Sequence, residues 1–216
     1  MKFLANNKQV LRDVFQSFLE PSPSGFYEHL GKEGGFKGDH DLNPASHPCE
    51  VKTLKPAAVL VPIVVRDDEP SVILTKRAAH MNKHAGQVSF PGGRAEKEDG
   101  TAVQTALRES QEEIGLDPTL VEVVGTLSTY VTVTEYSVTP VVGLVDPNFE
   151  LKAEESEVAE IFEVPLRFLL DQRNHQKHSG FHNGIERFWY AMPYNDYYIW
   201  GATAGMIKDL SERANR

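Results

Sequence analysis

Cysteine is almost absent: Cys49 is the only one among 216 residues. No intrachain disulfide can form, which points to a reducing compartment. Cys49 sits beside His47-Pro48 and Glu50 in a turn-rich stretch, and one Cys with one His is far short of a zinc site. Long apolar runs are also lacking. The longest, Ala57 to Val65, is nine residues with Pro62 inside it, too short to span a bilayer. The opening Met1-Lys2-Phe3-Leu4-Ala5-Asn6-Asn7 turns polar too early for the apolar core of a signal peptide. Positive charge is in deficit, with 22 Lys and Arg against 31 Asp and Glu and a net charge of −9. A surface of that sign is not built to neutralise a nucleic-acid backbone. A small phosphate-bearing ligand held in a local pocket with a metal stays compatible with it. The expectation is a cytoplasmic globular protein with no nucleic-acid and no membrane partner. Its 40% hydrophobic and 25% charged residues suit a packed domain.

Val10, Leu11, Val14, Phe15, Phe18 and Leu19 recur at helical spacing, so residues 7 to 20 read as an amphipathic helix, most simply a packing accessory. Residues 21 to 50 hold five Gly and four Pro, a content that resists regular structure. They read as an irregular arm that lies over the main body or mediates a subunit contact, which leaves a homodimer open. The expected division is 1–54 for the helix and arm and 55–216 for the main domain. Strand-like stretches follow at Ala57–Val65, Val72–Thr75, Gln87–Phe90, Val121–Tyr130 and Ser137–Val145. Glu160–Leu170 reads as a strand and a short helix joined at Pro165. Phe188–Met192 and Tyr197–Trp200 read as strands, and Thr203–Arg213 as a terminal helix. Mixed strands and helices imply a layered α/β or α+β body.

The clearest helix is Thr101–Ile114. Thr101 with Gln104 has the form of a capping box, Gly115 is placed to end the helix, and Pro118 blocks continuation. Val103, Ala106, Leu107, Ser110 and Ile114 fall on one face, the expected core face. Glu109, Glu112 and Glu113 share an arc of about 100° away from it. Three carboxylates so placed repel one another unless a cation sits among them. Hard oxygen donors suit Mg²⁺ or Mn²⁺, and Arg108 is placed to orient one glutamate by a bidentate pair. The alternative is a solvated acidic helix face.

At these residues the sequence resembles the Nudix hydrolases, whose motif sets a glycine and an acidic residue before R-E-U-x-E-E-x-G-U, with U bulky and apolar. Gly93, Arg108-Glu109, Glu112-Glu113 and Gly115-Leu116 match as they stand. The stretch from Gly93 to Arg108 is one residue longer than the motif, Asp99 fills the acidic position, and Ser110 fills the first U. A second stretch, Leu74-Thr75-Lys76-Arg77-Ala78 and then Gly86-Gln87-Val88-Ser89-Phe90-Pro91-Gly92-Gly93, resembles the signature of the coenzyme A diphosphatase branch. The second arginine of that signature is replaced by Asn82, beside Lys83 and His84. Ile199-Trp200-Gly201-Ala202-Thr203-Ala204 is also similar to a segment of this branch.

The resemblance implies the Nudix fold, an α/β/α sandwich with a mixed sheet, and hydrolysis of coenzyme A to 3′,5′-ADP and 4′-phosphopantetheine with Mg²⁺ or Mn²⁺. It implies Glu109, Glu112 and Glu113 as metal ligands and a further carboxylate from a later loop, for which Glu157 is the choice here. The alternative for that acidic stretch is a solvated loop. Gly92 and Gly93 let backbone approach the site closely, and Gly86 and Gln87 join the binding stretch. Arg77 reads as a phosphate clamp through its fork or as a surface arginine at a strand end, with Lys76 facing the other way. Rival readings are a Nudix enzyme for another dinucleotide, nucleotide sugar or nucleoside triphosphate, and a ligand-binding regulator without turnover. His175, His178 and His182 sit in an expected polar loop from Asp171 to Gly184. The aromatics Phe188, Trp189, Tyr190, Tyr194, Tyr197, Tyr198 and Trp200 suit stacking on an adenine or alternating strand burial equally.

Overall fold

The structure, a computed structural model, describes residues 7–26, 36–44, 54–81, 84–182 and 184–216. Two long strands form the spine of a nine-stranded mixed sheet. They are β2 (Lys55–Val64) and β8 (Tyr136–Val145), which run parallel in unbroken register from Lys55 opposite Tyr136 to Val64 opposite Val145. Their near-continuous apolar runs fit a strand covered on both faces. Around them lie β3 (Ser71–Arg77), β4 (Val88–Ser89), β5 (Gly92–Arg94), β6 (Val121–Thr126), β7 (Thr129–Val131) and β9 (Val158–Pro165).

One face of the sheet is covered by α2 (Ala102–Ile114), whose Ala102, Ala106 and Ile114 meet Ala58, Leu60, Ile73 and Val141. The other is covered by α1 (Lys8–Gln16), α3 (Leu166–Leu170) and α4 (Gly201–Ala214), through Leu11, Phe15, Leu169, Ile207 and Leu210. The result is an α/β/α sandwich. A separate antiparallel sheet is made of β10 (Gln176–His182), β11 (Ile185–Tyr194) and β12 (Tyr197–Trp200).

Three local expectations need correction. Val121–Tyr130 is two strands, because Ser128 turns away to α4: its N–H donates to Asp209 (3.1 Å) and its hydroxyl accepts from Arg213 (2.7 Å). The polar histidine loop is the strand β10, paired along its length with β11. Within the stretch expected to be irregular, Phe36–Gly38 forms a short strand, β1, parallel to β7. Cys49 with its neighbours, and Asn82 and Lys83, lie outside the described residues. Among the described residues no helix is long and apolar enough to cross a membrane.

Candidate active site

The site is built where the start of α2 meets the sheet. β5 pairs with β2 so that Gly92 lies opposite Val59 and Gly93 opposite Ala58, and the chain then turns through Asp99 into the helix. Thr101 caps it: its side-chain oxygen accepts from the Gln104 N–H at 3.3 Å. Gly115 ends it in the left-handed region, at φ 68°, where a side chain would be strained. The helix is therefore fixed at both ends by residues chosen for backbone geometry, and its acidic flank faces β5 and the end of β3.

The three glutamates, expected together on an arc away from the core face, differ in burial, and Glu113 departs from that expectation. Glu112 is exposed, with 60% of its side chain accessible, Glu109 is half-buried, and Glu113 is buried at 4%. The flank bearing Glu113 is roofed by β5: the Gly92 N–H donates to Glu113 Oε2 at 3.0 Å. Gly93 closes over Glu109, since a Cβ there would stand 2.4 Å from Glu109 Oε2. Desolvation raises the pKa of the Glu109 and Glu113 carboxyls, that of Glu113 to about 7, against the Gly92 hydrogen bond and the nearby Arg77 charge that lower it.

Arg108 ties the exposed side of the cluster together. It donates to Asp99 through Nε (3.2 Å) and Nη2 (2.9 Å), to Glu112 through Nη1 (2.9 Å), and to the Arg94 carbonyl (3.2 Å). It also pairs with Glu109 at 2.9 Å. Asp99 was given no role by sequence reasoning. Its carboxylate accepts from Arg108, from the Thr105 hydroxyl (3.0 Å) and from the Glu96 N–H (2.9 Å), and these bonds hold its pKa below the usual range. The available signal was its place at the acidic position of the motif.

Arg77 enters from the end of β3, where a register shift separates it from Lys76. Its guanidinium lies 3.6 Å from Glu113 and 4.0 Å from Glu157. Glu157 is set there by the turn before β9: the Ala78 N–H donates to its carbonyl and the Glu154 N–H to the Glu113 carbonyl. The structure thus brings Glu109, Glu112, Glu113, Arg108, Glu157, Arg77, Gly92 and Gly93 together. Gly86 and Gln87 stand just behind, bonded to the backbone of Arg77 at 3.1 and 2.9 Å. They line a groove of about 420 Å³ with Lys76, Tyr197, Tyr198 and Trp200. His175 and His178 are engaged elsewhere, with the Leu169 carbonyl and with Tyr198 and Gln176.

These ion pairs join five carboxylates to only two guanidiniums. Among the described residues no three Asp, Glu, His or Cys side chains converge as a preformed metal cage. The donor set still fits a hard divalent cation: oxygen only, short of positive charge, and partly desolvated.

Residues 54–183 match the NUDIX domain family. NudL of Escherichia coli K12, an uncharacterized Nudix hydrolase, is 44% identical over 156 residues, covering 72% of this chain and 80% of its own. Its namesake in Enterobacter sp. strain 638 is 42% identical over 163 residues, covering 75% and 84%. Among solved structures, the chain is similar to the NUDIX domain of Shewanella oneidensis NrtR complexed with ADP ribose. That likeness has 18% identity and a TM-score of 0.47 over 80% of this chain and 90% of that one.

Proposed function

Because the chain belongs to the Nudix hydrolase family, we propose that it cleaves the diphosphate bond of coenzyme A or its derivatives, giving 3′,5′-ADP and 4′-phosphopantetheine. The observation that carries the reading is the meeting of two motifs. Arg77, from the stretch that resembles the coenzyme A diphosphatase signature, reaches within 3.6 Å of Glu113 from the hydrolase helix.

Glu109, Glu112 and Glu113 would hold Mg²⁺ or Mn²⁺, with Glu157 as the carboxylate from a later loop. A cation held there would neutralise phosphoryl oxygens and lower the pKa of a water, chemistry that asks for no covalent protein nucleophile. Arg108 positions the glutamates, being itself held by Asp99. Arg77 offers its fork to a substrate phosphate. Gly92 and Gly93 let the backbone of β5 close over Glu113 and Glu109, while Gly86 and Gln87 bind along the adjoining groove. The catalytic unit is residues 55–216, and the location cytoplasmic.

A panel of diphosphate compounds with Mg²⁺ tests this: coenzyme A, ADP-ribose, a diadenosine polyphosphate, a nucleotide sugar and a nucleoside triphosphate. The expected result is the highest kcat/KM on coenzyme A, with the two products named. Coenzyme A left intact while another compound turns over readily would overturn the substrate assignment.

A further inference from the structure

Arg77 and Arg108 divide the carboxylates of the cluster between them, Glu113 and Glu157 for Arg77, Asp99, Glu109 and Glu112 for Arg108, and they are held differently. Arg108 makes hydrogen bonds at 2.9–3.2 Å to Asp99, Glu112 and the Arg94 carbonyl. Arg77 approaches Glu113 at 3.6 Å and Glu157 at 4.0 Å, beyond the usual hydrogen-bond distance of about 2.7–3.2 Å. Its side chain is 22% exposed, and its Nε is buried with no hydrogen-bond partner. That Nε is an unsatisfied buried donor. The guanidinium stands beside the carboxylate with the least access to water.

We propose that Arg77 is a resident counter-ion for the divalent-cation site. In the metal-free protein it neutralises Glu113 and Glu157, and it gives up that place when a divalent cation binds. This inference rests on the metal-site reading of the preceding section. It also explains the missing hydrogen bonds: tight bonds like those of Arg108 would make the exchange costly. Release leaves the whole fork of Arg77 free for an anionic ligand, so cation binding and phosphate binding favour each other. Arg108, anchored to Asp99, stays where it is.

Mn²⁺ binding to metal-stripped protein at pH 8.5, followed by electron paramagnetic resonance, tests this on wild type, Arg77→Gln and Arg77→Lys. Removing a positive charge beside the site should tighten Mn²⁺ binding roughly tenfold in Arg77→Gln, while Arg77→Lys, which keeps the charge, stays close to wild type. Equal or weaker binding by a folded Arg77→Gln overturns the proposal and leaves the metal site standing. No Mn²⁺ binding by the wild type overturns the metal site and the proposal together. The wild type provides a second measurement, independent of how the variants fold. Phenylglyoxal modification mapped by mass spectrometry should rise at Arg77 when Mn²⁺ replaces EDTA and stay level at Arg108. Unchanged labelling of Arg77 contradicts the exchange.

Discussion

Glu112 and Glu113 are neighbours in sequence with opposite environments, and each environment carries a distinct expectation. If both are metal ligands, Glu112→Gln and Glu113→Gln should each lower kcat at saturating Mg²⁺ by about a hundredfold or more, because charge stabilisation of the transition state is lost. Near-normal turnover in either variant would show that the ligand assignment is wrong. Stability should separate the two. The Glu113 carboxyl is raised by burial from 4.5 to about 7, so the folded protein keeps a proton that the unfolded chain gives up. Metal-free stability should therefore fall as pH rises from about 4.5 to about 7 and level off above that. Thermal melts in EDTA across this range should lose much of the slope in Glu113→Gln. In Glu112→Gln, which alters an exposed carboxylate, the slope should persist. An identical slope in wild type and Glu113→Gln would mean the buried carboxyl stays ionised.

The elements show how far local pattern reaches. The limits of α2 were legible because Thr101 and Gly115 carry backbone requirements in their own chemistry, and so was the strand-to-helix junction at Pro165. The burial of Glu113 was not legible. Helical phase alone sets it beside Glu109 and Glu112, and only the pairing of β5 with β2 brings a roof over it. β10 escaped notice because its residues are mostly exposed on both faces, leaving no alternation to read. The split of β6 from β7 depends on Asp209 and Arg213, more than eighty residues away. The two glycines of β5 give a test at this scale. A Cβ on Gly93 meets first the carboxylate end of the Glu109 side chain, whereas one on Gly92 meets the Ala58 carbonyl at 2.4 Å, at a φ of 152°. Gly93→Ala should melt close to wild type but lose about tenfold or more in kcat through a displaced Glu109. Gly92→Ala should instead lose stability. Full activity in Gly93→Ala would remove Glu109 from the chemistry.

At the scale of the molecule, α1 is not an appendage. Leu11 and Phe15 are fully buried in the core shared with α3 and α4, and Arg12 and Lys8 pair with Glu122 on β6. Phe15→Ala should cost about 3–5 kcal/mol, read by denaturant unfolding, with kcat per folded molecule retained. A loss below about 1 kcal/mol would mean that the helix docks only loosely. The sandwich holds α2 against one face of the sheet and leaves its acidic flank at the ends of β3 and β5, so the proposed chemistry is a property of the whole arrangement. The measurement that tests it most directly is hydrolysis of coenzyme A in ¹⁸O-labelled water, with Mg²⁺ and with EDTA. The account predicts 3′,5′-ADP and 4′-phosphopantetheine only with Mg²⁺, one of the two carrying a single ¹⁸O on its newly formed phosphate. Cleavage that persists in EDTA, or products whose phosphates carry no label, would contradict it.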